Sequence, residues 1–154
     1  MNVRITLNCL NPPEPFTTPV RSGNMLFIAG STAGGTDAAT GDIAAQTEAI
    51  LDKFEHILKA NGATLANVIK VTSFVTDLRE GPAAGEVRLK RFAGNFPAST
   101  QVQVAALGTP DLKIEIDAIA ILPGLIPIPN QLIKWRISCQ QIGETYIKNW
   151  APDQ

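Results

Sequence analysis

Two carboxylates stand out because they interrupt an otherwise apolar run, residues 112–122 (LKIEIDAIAIL). Glu115 and Asp117 are two positions apart, so in an extended strand both side chains lie on the same face of a sheet. A carboxylate held in a pocket can orient a water molecule and take its proton during attack on a substrate. A solvated sheet face is the default interpretation for both residues, and a pocket carboxylate that holds a water molecule is the alternative with chemical consequences.

The other common kinds of functional site are excluded by the spacing or the number of the residues that they need. The glycine cluster at residues 30–35 lacks the lysine of a phosphate-binding loop, since Thr36 follows it, and a turn explains it better. His56 is the single histidine and falls on the polar face of a helix pattern, so no Ser-His-Asp triad is expected. Cys9 and Cys139 are too few for a zinc site or a disulfide framework. We therefore predict neither a metal nor a cofactor.

The composition is that of a globular protein, with 45% hydrophobic and 18% charged residues among 154. Its 13 basic and 14 acidic residues form no basic block, so no nucleic-acid partner is expected. No apolar stretch approaches the roughly 20 residues of a membrane span, and the N-terminus lacks a signal-peptide core. We predict a cytoplasmic protein with no membrane partner.

The elements that must position Glu115 are predicted to follow the order β-β-α-β-α-β-β, an α+β fold with one sheet covered by two helices. The clearest element is a helix at residues 43–60, with apolar residues at helical spacing, Asp42 as N-cap and Asn61-Gly62 as its end. A second helix is predicted at residues 82–94. Alternating or β-branched residues predict strands at residues 3–8, 24–29, 67–76, 99–106 and 112–122.

The composition changes after Pro123, because both tryptophans and the single tyrosine lie beyond it. We predict a domain at residues 1–123 and a C-terminal extension at residues 124–154, docked on the domain by its apolar residues. The extension contains a period-two run from Ile133 to Cys139 and a helical spacing from Cys139 to Trp150. Strand and helix therefore both stay open for it.

Several motifs, in their order along the chain, resemble the reactive-intermediate deaminase family (RidA/YjgF, also named L-PSP endoribonuclease-like). They are GDIAAQT at 41–47, NGAT at 61–64, VIKVTSFVTDL at 68–78, FPA at 96–98, VQVAAL at 102–107 and KIEIDAIA at 113–120. The resemblance extends from about Pro15 to Leu122. It implies a chorismate-mutase-like subunit with a mixed sheet, a homotrimer, and a small-molecule site in each of three clefts between subunits.

The resemblance also implies site residues, several of which differ here from the family pattern. In the deaminating branch an arginine after Phe-Pro-Ala pairs with the substrate carboxylate, whereas this chain has Ser99. Gly85 stands where the family has an asparagine, while Glu115 keeps the family glutamate that positions the hydrolytic water, and is the implied catalytic residue. The implied substrate-binding positions are Phe16 (in place of a tyrosine), Gly30 through its backbone, Ser99, Thr100 and Gln101.

Loss of the arginine argues against the usual 2-imino acids, because a hydrogen-bonded charged pair contributes about 1.5–3 kcal/mol. Arg21, Arg88 and Arg91 are alternative sources of this charge, which the sequence does not distinguish. We favour a divergent hydrolase of an imine, an enamine or a related C–N bond. The alternative is a non-catalytic trimer that binds a small metabolite. Cleavage of RNA, which the older family name implies, has no support in the balanced charge.

Overall fold

The computed structural model describes residues 19–124, in which five strands and two helices form one mixed sheet with its covering layer. The elements are β1 (Val20–Ser22), β2 (Met25–Ser31), α1 (Ile43–Ala60), β3 (Val68–Val75), α2 (Gly81–Phe92), β4 (Ala98–Gln103) and β5 (Ile114–Ile121). The strand order is β1-β2-β5-β3-β4. β3 and β4 are parallel, and the other neighbouring strands are antiparallel. The predicted α+β class and the two covering helices are confirmed.

Helix α1 has the predicted bounds because both of its ends are specified by local chemistry. The Asp42 side chain accepts a hydrogen bond from the backbone N–H of Ala45 at 2.8 Å, which caps the first turn. At the other end Gly62 has a φ of +70°, a left-handed conformation that glycine adopts without strain. The residues at its two ends therefore account for the bounds of this helix.

The N-terminal part of the sheet differs from the prediction. The strand predicted at residues 3–8 lies outside the described residues. The described β1 was not predicted, although Gly23-Asn24 joins it to β2 as a two-residue hairpin. β2 was expected to end before Gly30, but it continues to Ser31, with an irregularity in its pairing to β5 after Ile28.

The two faces of the sheet differ in what covers them. Alternate residues of β5 are buried against the helices, and they form one core with side chains of α1 and α2. The opposite face, which we call the open face, carries Glu115, Asp117 and several apolar side chains. Phe27 and Val102, on β2 and β4, are 40% and 39% exposed there. Within residues 19–124, no helix combines the length and apolar character that a membrane crossing requires.

Candidate functional site

Glu115 lies on the open face of β5, directly over the backbone of Gly30. A Cβ atom built at Gly30 would lie 1.9 Å from Oε1 of Glu115, so a larger residue at position 30 would displace this carboxylate from its position. Glu115 is half-buried and makes no hydrogen bond or ion pair with another residue of the described part of the chain. Two sequence-predicted site residues are therefore in contact, and the carboxylate has free acceptor atoms.

Asp117, the second carboxylate of the strand, is used differently. Its Oδ1 accepts a hydrogen bond from the backbone N–H of Thr72 on β3 at 3.1 Å. Thr72 is also its cross-strand partner in the sheet register. Asp117 thus supports strand pairing, which leaves Glu115 as the carboxylate available for chemistry on this face.

Thr100 is also on the open face, but two strands away from β5. It is paired with Thr72, and its hydroxyl accepts a hydrogen bond from Lys70 Nζ at 3.0 Å. The same ammonium group donates to the Val71 carbonyl oxygen at 2.6 Å. Thr100 therefore lies beside a lysine rather than beside Glu115.

Ser99 and Gln101 are on the opposite, helix-covered face of β4, where both contact Arg88 of α2. Arg88 Nη1 donates to the Ser99 hydroxyl at 3.2 Å and to the buried Ser73 hydroxyl at 3.3 Å. Arg88 Nη2 donates to Oε1 of Gln101 at 3.3 Å. An arginine is thus present next to position 99, supplied by a helix instead of by β4.

A pocket of about 200 Å³ opens beside Arg88, between α2 and the start of β4. Apart from the arginine and Ser99, its lining is apolar or glycine. The lining consists of Val71, Gly85, Arg88, Leu89, Phe92, Phe96, Pro97 and Ser99. Sequence reasoning did not predict this pocket. A signal existed, since Arg88 lies four residues after the buried Ala84 and four before the buried Phe92, on the apolar stripe of α2.

A single chain therefore does not bring all the predicted site residues together. Gly30 and Glu115 share the open face, and Thr100 lies further along it beside Lys70. Ser99 and Gln101 meet Arg88 on the other side of the sheet. Phe16 lies outside the described residues. His56 is exposed on α1, in agreement with its interpretation as a surface residue.

Comparison with known proteins gives consistent results over this region. The family model described as Endoribonuclease L-PSP matches residues 6–122. A RutC family protein from Pyrococcus horikoshii is 37% identical over 123 residues, covering 77% of this chain and 95% of that protein. The 2-iminobutanoate/2-iminopropanoate deaminase of Escherichia coli K12 is 35% identical over 112 residues, covering 70% of this chain and 87% of the relative. A crystal structure of a protein of unknown function from Pseudomonas aeruginosa has a TM-score of 0.73 and 35% identity, covering 80% of this chain and 95% of that one.

Proposed function

The chain belongs to the Endoribonuclease L-PSP family, whose members also carry the names RutC, RidA and YjgF, and we propose that it hydrolyses an imine, an enamine or a related C–N bond of a small metabolite. The observation that carries the proposal is the carboxylate of Glu115, which lies over Gly30 and has no hydrogen-bond or ion-pair partner within residues 19–124. The deaminase name of the Escherichia coli relative supports the same reaction class.

Glu115 supplies the chemistry that C–N hydrolysis needs. Its carboxylate accepts a hydrogen bond from a water molecule and takes a proton as the water oxygen bonds to the C=N carbon. The imine reacts as its protonated iminium, so the C=N electron pair moves to nitrogen as the C–O bond forms, and an enamine reaches the same iminium by taking a proton at carbon. Glu115 then returns its proton to the carbinolamine nitrogen, and the C–N bond breaks to release the amine or ammonia. The hydroxyl proton passes to the Glu115 carboxylate as the C=O bond forms. No electron acceptor or metal ion enters this balance.

We place the reaction in a cleft between subunits of a homotrimer, in the cytoplasmic protein that the sequence predicts. The open face supports this placement, because Phe27 and Val102 expose apolar surface on the same face of the sheet as the carboxylate. A second copy of the chain would bury this surface and would bring other residues next to Glu115. Because Ser99 stands in place of the arginine, we predict a substrate other than the usual 2-imino acids. This prediction holds if no other cation of the protein binds the substrate carboxylate.

The test is imine hydrolysis by purified wild-type protein and two matched variants. An amino-acid oxidase generates 2-imino acids, an amine oxidase generates imines that lack a carboxylate, and semicarbazide traps whatever imine remains in either panel. Glu115→Gln should lower turnover by about 10²- to 10⁴-fold, the usual contribution of a general base. Asp117→Asn removes the same charge two residues along the same face, keeps an acceptor for Thr72, and should retain turnover.

Two results would contradict the hydrolase. One is turnover by Glu115→Gln at the wild-type rate. The other is a wild type that hydrolyses no member of either panel although it binds small metabolites, which would favour the non-catalytic trimer. Size-exclusion chromatography of each variant shows whether assembly, rather than chemistry, has changed.

A further inference from the structure

Three exposed apolar side chains lie at one end of the sheet, the end at which β3 and β4 begin. Ile69 is 47% exposed at the start of β3, and Phe96 is 59% exposed two residues before β4. The two strands begin side by side, because Lys70 pairs with Ala98. Leu89 of α2 is 61% exposed and lines the same pocket as Phe96. We call Ile69, Leu89 and Phe96 the apolar end.

The exposed position of Phe96 is fixed by the turn that joins α2 to β4. Ala93 has a φ of +46° and Gly94 has a φ of +91°, and the backbone N–H of Asn95 donates to the Phe92 carbonyl oxygen at 2.9 Å. A left-handed conformation is unfavourable for alanine, so the turn keeps Phe96 exposed at a cost in conformational free energy. Contiguous apolar surface that a fold keeps exposed is typical of a site that contacts another segment or molecule.

The C-terminal extension begins close to the apolar end. Ala120 of β5 pairs with Val68, which directly precedes Ile69, so β5 finishes at the end of the sheet where β3 begins. Only β3 lies between β5 and β4. Neighbouring strands are about 4.8 Å apart, so about 10 Å separates β5 from β4. Three or four extended residues after Gly124 cover that distance, at about 3.3 Å per residue.

The extension itself carries the apolar side chains that such a surface needs. Residues 125–154 contain both tryptophans of the chain, and Trp135 lies in the period-two apolar run from Ile133 to Cys139. The family match ends at residue 122, so the family domain does not account for these side chains. A tethered segment meets a nearby surface at an effective concentration in the millimolar range. This favours the extension over a second copy as the occupant of the apolar end.

We propose that residues 125–137 fold back onto the apolar end, and that Trp135 packs against Phe96 and Leu89. Trp135 has the largest apolar surface in this segment, and aromatic pairs contribute beyond the area that they bury. Lys134 and Arg136 flank it, and their long side chains reach water while Trp135 is buried. This inference goes beyond the proposed function and does not rest on it.

Tryptophan fluorescence of the full-length protein tests the proposal, because residues 1–124 contain no tryptophan. Trp150→Phe leaves Trp135 as the single tryptophan, and excitation beyond the tyrosine absorption band isolates its emission. The emission of this parent protein should be shifted to the blue relative to the same protein unfolded in urea. Trp135 should also be protected from quenching by acrylamide, and neither property should change on dilution.

Changes in the domain then locate the contact, each made in the Trp150→Phe parent. Phe96→Asp and Ile69→Asp should shift the Trp135 emission to the red and remove its protection. Trypsin cleavage in the extension should also become at least about tenfold faster, because burial of one large apolar side chain shifts an equilibrium by that factor or more. Phe96→Leu keeps an apolar contact and should behave like the parent. Leu78→Asp is the matched control, since Leu78 is 48% exposed and follows the opposite end of β3.

Several results would overturn the proposal. One is a solvent-exposed Trp135 in the parent, and another is full protection of Trp135 in both aspartate variants. Protection that is lost on dilution, or an oligomeric state that changes in sedimentation velocity while Trp135 stays protected, would assign the apolar end to a second copy instead. Loss of protection in Leu78→Asp as well would show that the signal follows the stability of the fold rather than this surface.

Discussion

Replacing Gln46 by methionine is expected to destabilise the fold by about 3 kcal/mol. Gln46 is fully buried on α1, and its Oε1 accepts from the backbone N–H of Lys113 at 2.8 Å. Its Nε2 donates to the carbonyl oxygens of Ala39, Gly41 and Asp111 at 3.0, 3.2 and 2.8 Å. One side chain thus joins the start of α1 to the segment that leads into β5.

The magnitude follows from counting hydrogens rather than contacts. The amide NH2 group has two hydrogens, so its contacts with three carbonyl oxygens count as two full hydrogen bonds. With the bond that Oε1 accepts, the Gln46 side chain makes the equivalent of three hydrogen bonds. Each bond contributes about 0.5–1.5 kcal/mol net, which gives about 3 kcal/mol in total. Methionine is similar to glutamine in length, so the change removes hydrogen bonds and creates little cavity.

Urea unfolding at fixed protein concentration measures the effect, with Gln103→Met as the matched control. Gln103 is exposed and accepts one bond, from the Leu78 N–H at 3.2 Å, so its loss should cost about 1 kcal/mol or less. A Gln46→Met variant within about 1 kcal/mol of the wild type would refute the reasoning. It would show that water satisfies these backbone groups once the amide is gone.

Three further outcomes are expected. Gly30→Ala forces the Glu115 carboxylate to move by roughly 1 Å. Turnover should therefore fall, while the urea midpoint changes little. Unchanged turnover would show that the position of the carboxylate over Gly30 does not matter for the reaction. Phe27→Asp puts a charge on the open face and should convert the proposed trimer to monomers in sedimentation velocity, whereas a variant that is still a trimer would place the interface elsewhere. A side-chain hydrogen bond from Arg79 lowers the pKa of Asp77 to about 2, so its stabilisation is present above pH 4 and is lost as pH falls toward 2. Asp77→Asn should remove that part of the pH dependence of the urea midpoint, and equal slopes would refute the assignment.

Local sequence signals were sufficient to predict those elements whose ends or alternating pattern are set by their own residues. Helix α1 begins and ends as predicted because Asp42 caps it and Gly62 follows its last turn. β5 was predicted from alternation alone, and its alternate burial agrees. The hairpin at Gly23-Asn24 was missed although its turn residues are typical of a two-residue connection. A three-residue strand is too short to show periodicity, so only the turn could have revealed it.

The extent of β2 depended on a contact that sequence does not display. Gly30 suggests a strand end when it is considered alone, because glycine is weak in strands. In the structure Ser31 still pairs with Ile116 of β5, and the Glu115 side chain of that neighbouring strand occupies the space where a Cβ atom at position 30 would lie. A glycine that accommodates a distant residue cannot be distinguished from a turn glycine until the strand order is known.

The two carboxylates of β5 show that the strand register decides which side chain finds a hydrogen-bond partner. Alternation predicts that Glu115 and Asp117 share a face, and they do. It does not predict that Asp117 falls opposite Thr72, whose backbone N–H it occupies, while Glu115 falls opposite Phe74, whose side chain offers no hydrogen bond. Two chemically similar side chains therefore acquire different roles from their cross-strand neighbours. Arg88 and Arg91 differ in the same way, because carboxylates of α1 reach only Arg91. In each pair, a neighbouring strand or helix decides which of two like residues has a group within residues 19–124 that stabilises its charge.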